Sequence, residues 1–230
     1  TNAATALTGA VAPGEVVTIY GTGIGPAQLV TFELTTDRFA IRNQLAGTRV
    51  LFDGFPAPIL YTRADQVSAI VPFQVAGRTV TELRVEYQGQ TTPRVELPVL
   101  PASPGLFTSS YSGSGQGAIL NQDYWLNSAA APAARGSVVM LYGTGAGQFQ
   151  APLGAEELAR SAAALERPVV VRIGGEEAEV LYAGTAPGLP AGVVQINARV
   201  PAGISPGGAV PVWFAVDGRP SRVDVTLAVR

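Results

Sequence analysis

The chain has no cysteine, no histidine and no lysine. Without cysteine there are no disulfides, no thiolate nucleophile and no thiolate metal site. Without histidine there is no imidazole ligand and no Ser-His-Asp triad. Without lysine there is no Schiff base and no pyridoxal attachment. Charge is also scarce: 14% of residues are charged, where about 25% is usual in soluble domains. All fifteen basic residues are arginine and seventeen are acidic, leaving a net charge of −2. No basic field is available to hold a polyanion, so nucleic acid is not an expected partner. No apolar run approaches the roughly 18–20 residues that span a bilayer. No basic, then apolar, then small-residue leader opens the sequence. Thr1 reads as the start of a mature or trimmed chain, with any export signal upstream. The chemistry left open is that of carboxylates, including oxygen-bound calcium.

What is present is enough apolar material for a core, 47% of 230 residues. That length suits two domains of about a hundred residues or one large all-β domain. An internal repeat favours two. Gly14-Glu-Val-Val-Thr-Ile-Tyr-Gly-Thr-Gly23 matches Gly136-Ser-Val-Val-Met-Leu-Tyr-Gly-Thr-Gly145 at seven of ten positions, 122 residues later. Val50-Leu-Phe-Asp-Gly-Phe-Pro-Ala-Pro-Ile-Leu-Tyr61 is echoed by Val171–Tyr182, and Gln66-Val-Ser-Ala-Ile-Val-Pro72 by Gln195–Pro201. Three blocks recur in one order at similar separations, as a duplicated domain requires.

Within each copy the apolar period is two. Thr81, Leu83, Val85 and Tyr87 alternate with polar residues, as do Val95, Leu97 and Val99. In the second copy Val210, Val212, Phe214 and Val216 form one face, followed by Val223, Val225, Leu227 and Val229. Such strands bury one face and wet the other. With 27 glycines and 18 prolines between them, the pattern predicts β-sandwiches. Tyr87–Gln90 and Val216-Asp-Gly-Arg219 read as hairpin turns, the second of type I′. One stretch departs from the period. Gly154–Glu166 sets Leu158, Ala162 and Leu165 on one face with a Glu156–Arg160 pair, which predicts a short helix. Residues 27–47 have no counterpart in the second copy and predict an added hairpin over Leu29–Leu34. The boundary is placed at Pro101-Ala-Ser-Pro-Gly105, giving domains 1–101 and 102–230. The apolar stretch Gly115–Asn127 is expected to pack as the opening strand of the second.

These residues carry a family resemblance. Val11-Ala-Pro-Gly-Glu-Val-Val-Thr-Ile-Tyr-Gly-Thr-Gly23, Gly115-Gln-Gly-Ala-Ile-Leu-Asn-Gln122, Leu126-Asn-Ser128, Pro132-Ala-Ala-Arg-Gly-Ser-Val-Val139 and Leu181-Tyr-Ala-Gly-Thr-Ala-Pro-Gly188 run in the order of the Solibacter-type C-terminal tandem domain of secreted acidobacterial proteins. Each half also resembles an immunoglobulin-like IPT/TIG domain. The resemblance implies tandem sandwiches in an extracellular or cell-surface setting and supplies no catalytic residues. The stretch Leu29–Leu45 is longer than the family pattern.

Candidate sites are few. Gly21-Thr-Gly-Ile-Gly25 and Gly143-Thr-Gly-Ala-Gly147 follow apolar strands as a dinucleotide loop would, but no helix start follows to receive a pyrophosphate, so they read as tight turns. Asn121, Asp123 and Asn127 are oxygen donors at close spacing, yet the alternating carboxylates of a calcium loop are missing and no metal site is expected. Glu176, Glu177 and Glu179 read as a solvated hairpin. The acidic residues fall mostly on polar strand faces or turns, and no deep pocket is expected to raise the pKa of an acid for glycoside hydrolysis. Tyr124 and Trp125 are the candidate ligand-binding residues. On a strand they face opposite sides, leaving one free to stack on a sugar ring; packing in the core is the plainer expectation for them and for Trp213. Pro98 and Pro220 read as edge-strand guards, and Thr1–Ala10 as a segment able to pair within its domain or with a neighbouring subunit.

The expectation is therefore an all-β chain of two tandem immunoglobulin-like sandwiches, with one short helix in the second. It is expected to be a structural or adhesive module of an exported bacterial protein, with no catalysis and no cofactor. The alternatives are a carbohydrate-binding module and a filament subunit assembled by strand exchange. Partners are expected to be a protein or cell surface, polysaccharide, or self.

Overall fold

The computed structural model describes residues 1–230, and the period-two segments fold as strands with the anticipated faces. The first half contains β1 (Val16–Tyr20), β2 (Val30–Thr31), β3 (Gln44–Leu45), β4 (Thr48–Phe52) and β5 (Phe55–Ala57). It continues with β6 (Ile59–Arg63), β7 (Gln66–Ile70), β8 (Val80–Tyr87), β9 (Gln90–Thr91) and β10 (Val95–Pro98). The second half contains β11 (Gly105–Leu106), β12 (Gly115–Gln116), β13 (Ile119–Asn121), β14 (Val138–Thr144), β15 (Val169–Ile173) and β16 (Glu176–Ala178). It ends with β17 (Val180–Thr185), β18 (Val194–Arg199), β19 (Gly207–Val216), β20 (Arg219–Pro220) and β21 (Val225–Val229).

Each half closes two sheets face to face. In the first they run β1-β7-β6-β2 and β10-β8-β4-β3, with β5 on β4 and β9 on β8. In the second they run β11-β14-β18-β17 and β12-β21-β19-β15-β16, with β13 on β14 and β20 on β19. The chain is thus all-β, a tandem of two β-sandwiches. Val17, Val50, Phe52, Ile59, Val67 and Val85 fill the first core; Leu141, Val171, Ile196, Val212, Phe214 and Leu227 fill the second. On β8 the buried Thr81, Leu83 and Val85 alternate with half-exposed Glu82, Arg84 and Glu86. Val223 and Val95 depart from their apolar rows: Val223 lies in the turn before β21, Val95 on the outermost strand β10, and both are exposed.

The turns follow the chemistry of their residues. Gln88 and Gly89, and Asp217 and Gly218, all take positive φ, as a type I′ hairpin requires. Pro98 and Pro220 sit in the outermost strands β10 and β20, where no missing N–H interrupts a central ladder. In each half the residues just ahead of the first long strand run parallel to the last segment. Val11 donates to Pro98 and accepts from Leu100, and Ala133 donates to Ala228 and accepts from Arg230, at 2.8–2.9 Å.

Two local expectations are corrected. Gly154–Glu166 is not helical; the only helix is a 3-10 turn at Phe73–Val75. A segment this short is marginal as a helix on its own, and its backbone bonds go to neighbours instead. Leu158 donates to Phe39, Ala159 to Leu189 and Leu165 to Ala183. Arg160 leaves Glu156 and lies over the Phe39 ring, 3.9 Å from its centroid. In the added segment Val30–Thr31 pairs with Thr62 and Tyr61 rather than within a Leu29–Leu34 hairpin, and the turn forms later, closed by Leu34 opposite Ile41.

The two halves are packed against each other. The outward residues Val16 and Ile70 of β1 and β7 are buried with Ala155, against Ala3, Leu60, Phe73 and Phe107. The Val16 amide donates to Thr144 Oγ1 at 2.8 Å, and that hydroxyl donates to the Gly192 carbonyl at 2.7 Å. A Cβ at Gly192 would stand 2.9 Å from methyls of Val16 and Ile70, so only glycine lets the halves close this far. Phe73 meets Phe149 edge-on at 5.9 Å. The added segment 27–47 and the stretch Gly154–Glu166 meet here as well: Ile41 donates to Glu156 and Leu158 to Phe39, at 2.7 and 2.9 Å.

Candidate functional site

Tyr124 and Trp125 project from a turn between β13 and Leu126, which bridges back to Leu120. Asn121 opens the turn by accepting from the Tyr124 amide and closes it by donating to the Trp125 carbonyl. The Asp123 carboxylate accepts the Trp125 N–H at 3.1 Å. Tyr124 takes φ +67, a left-handed conformation that no regular strand contains. The strand alternation expected for this pair therefore fails, and both rings are outside: Tyr124 is 75% exposed and Trp125 72%.

The base of the turn is rigid. Asn127, fully buried, donates to Asn121 Oδ1 and to the Ala228 carbonyl at 2.9 Å, and accepts the Ala228 amide at 2.7 Å. The two asparagines considered as calcium ligands thus bind protein groups and tie the turn to β21. Beside the turn a shallow pocket of about 400 Å³ is lined by Gln122, Asp123, Ser137 and Arg230. Tyr142 lies close by; burial, and then the neighbouring Tyr124, raise its phenol pKa. Trp213 sits half-buried on the outer side of β19, with the Arg172 guanidinium 6.0 Å from its ring. No group of three or more His, Cys, Asp or Glu gathers in metal-ligand range. Glu177 and Glu179 pair with Arg172 and Arg199 on the surface.

Comparison with known proteins returns structures alone. No family model matches the chain, and no curated protein matches it. Among solved structures it is similar to the full extracellular region of plexin A4, at 14% identity over 94% of this chain and 18% of that one, with a TM-score of 0.29. It is also similar to domains 4–9 of the surface layer protein SbsC, at 12% identity over 94% of this chain and 30% of that one, with a TM-score of 0.22. The chain spans less than a third of either.

Two features escaped the sequence. The repeat extends to the beginning: Asn2 opposite Val17 reproduces Asn121 opposite Val139, and Ala6, at φ +59, takes the place of Tyr124. Asn2 donates to Ser103 at 2.9 Å, and Thr1–Ala3 pairs with β1 of its own half. The shared asparagine was the available signal. The second feature is Glu15, which is fully buried beneath this segment. One oxygen accepts the Ala12 amide at 2.7 Å and the other has no hydrogen-bond partner. Burial pushes its pKa up to about 8, against the opposing pull of the Ala12 amide and the Asn2 side chain.

Proposed function

We propose that the chain is a non-catalytic presenting module of an exported protein, which holds protein or cell-surface contacts at a fixed spacing outside the cell. Its units are immunoglobulin-like sandwiches over residues 1–101 and 102–230, of the Solibacter-type tandem family. The observation that supports this most is the buried junction, where Val16, Ile70, Ala155 and Gly192 pack with a Thr144 hydroxyl network. Two sandwiches joined by a free linker would leave that surface wet. The most perturbed carboxyl, Glu15, is sealed away from any substrate. No helix is long and apolar enough to cross a membrane.

Distance measurements between labels on the two halves test the reading. One narrow distribution, unchanged by moderate salt or temperature, is expected; independent tumbling of the halves refutes it.

A second reading, carbohydrate binding, is favoured by one observation: Tyr124 and Trp125 are both exposed on one braced turn beside a polar pocket. Stacking on a sugar ring needs such rings. Retention on insoluble polysaccharide that Trp125→Ala abolishes would support it, and equal behaviour of the two proteins would remove it.

A further inference from the structure

The two copies of Tyr-Gly-Thr-Gly meet different surroundings. In the second half Gly143–Gly147 is buried, because residues 101–107 lie along it as an extended strand. Phe107 donates to the Tyr142 carbonyl at 3.0 Å, Gly105 pairs with Thr144, and Ser103 donates to Gly145 at 2.8 Å. A Cβ at Gly143, Gly145 or Gly147 would overlap the carbonyl oxygens of Gly105, Ser103 and Pro101 in turn. Glycine here lets one backbone seat directly on another.

In the first half the same motif is bare. Tyr20 is 66% exposed, and Gly21, Thr22 and Gly23 are exposed beside it. Gly21 donates to Asp65 on the β7 side. Thr18, in phase with Tyr20, donates away from β7 to Thr1, and alternate residues of an antiparallel ladder share a side, so Tyr20 turns its N–H and C=O to the open side; Thr22, just beyond the end of β1, has no backbone partner either. Gly23 shares the positive φ of its counterpart Gly145, +68 against +74. Nothing lies within 4 Å of a Cβ placed at Gly23.

We infer that the edge Tyr20–Gly23 is a docking site for an extended, uncharged peptide strand rich in proline and small residues, the kind this chain lays on Tyr142–Gly145. The occupant's chemistry is read from the filled copy: Pro101-Ala-Ser-Pro-Gly-Leu-Phe107 carries no charge and passes small residues over the glycines. The open edge suits a neutral strand, since the nearby Arg63 and Asp65 neutralise each other. Binding is strand addition, with backbone bonds giving the register. The inference is a specific form of the protein-contact reading and rests on it.

The test adds a free peptide with the sequence of residues 101–108 to the intact chain and follows amide exchange. At saturation the Tyr20 and Thr22 amides are expected to exchange more slowly by about tenfold, the mark of newly formed backbone bonds. The same peptide N-methylated at the positions of Gly105 and Phe107 should have no effect. Thr22→Pro, an exposed change that removes one donor, should abolish the response while leaving the rest of the exchange pattern intact. Unchanged exchange at both amides overturns the inference, as does equal protection by the methylated peptide or in Thr22→Pro. A dimer that forms without peptide and is lost in Thr22→Pro also overturns it, because the occupant would then be a second copy. The inter-half distances that test the presenting module do not depend on this result, so the two can fail separately.

Discussion

Replacing Glu15 by glutamine should remove an unusual pH dependence of stability. The carboxyl titrates near 8 in the folded chain against an ordinary 4.5, chiefly because burial penalises its charge. Below pH 4.5 it is protonated in both states and costs nothing. Between 4.5 and 8 the native state keeps a proton that the unfolded chain has released. Stability therefore falls as pH rises, by up to about 1.4 kcal/mol per unit. At pH 7 the loss amounts to about 3 kcal/mol, a large part of the roughly 5–15 kcal/mol that holds a typical protein folded. The glutamine keeps an oxygen for the Ala12 amide and has no proton to lose. Urea denaturation of both proteins from pH 4.5 to 8.5 measures the effect. The wild type should lose ground steadily to Glu15→Gln over that range and level off above 8. A difference that stays constant, or a wild type that gains on the variant, refutes the argument that Glu15 is held neutral.

Three further outcomes are expected. Gly192→Val drives a side chain into Val16 and Ile70, so the halves should separate, broadening the inter-half distances while each sandwich keeps its far-ultraviolet signature. Phe52→Ala and Phe214→Ala each empty a fully buried ring from a different core and should cost about 3–5 kcal/mol in urea denaturation; less than 1 kcal/mol in either would contradict the packing. Trp125→Ala removes an exposed ring and should change the melting temperature by no more than about 2 °C, within the ±0.5 kcal/mol range of surface substitutions.

The sandwiches could be read from the sequence because alternation is a local property: Thr81, Leu83 and Val85 face inward whichever strands lie beside them. The repeat added that the sandwich occurs twice. What stayed hidden depends on partners remote in the chain. Gly154–Glu166 has helical spacing, yet its amides are claimed by Phe39, Leu189 and Ala183, and no window of a dozen residues contains that information. Tyr124 and Trp125 looked like strand neighbours because the left-handed φ at Tyr124 leaves no mark in a non-glycine residue. Glu15 looked like an ordinary polar residue before a strand, and its burial comes from a segment laid over it from the beginning of the chain.

The parallel contacts at the margins of each half bear on how the chain would carry load. Val11 is bonded alongside Pro98 and Leu100, and Ala133 alongside Ala228 and Arg230, in parallel pairs. Tension that reaches such a parallel pair through its two outer ends crosses the bonds sideways, so they load together instead of peeling one at a time.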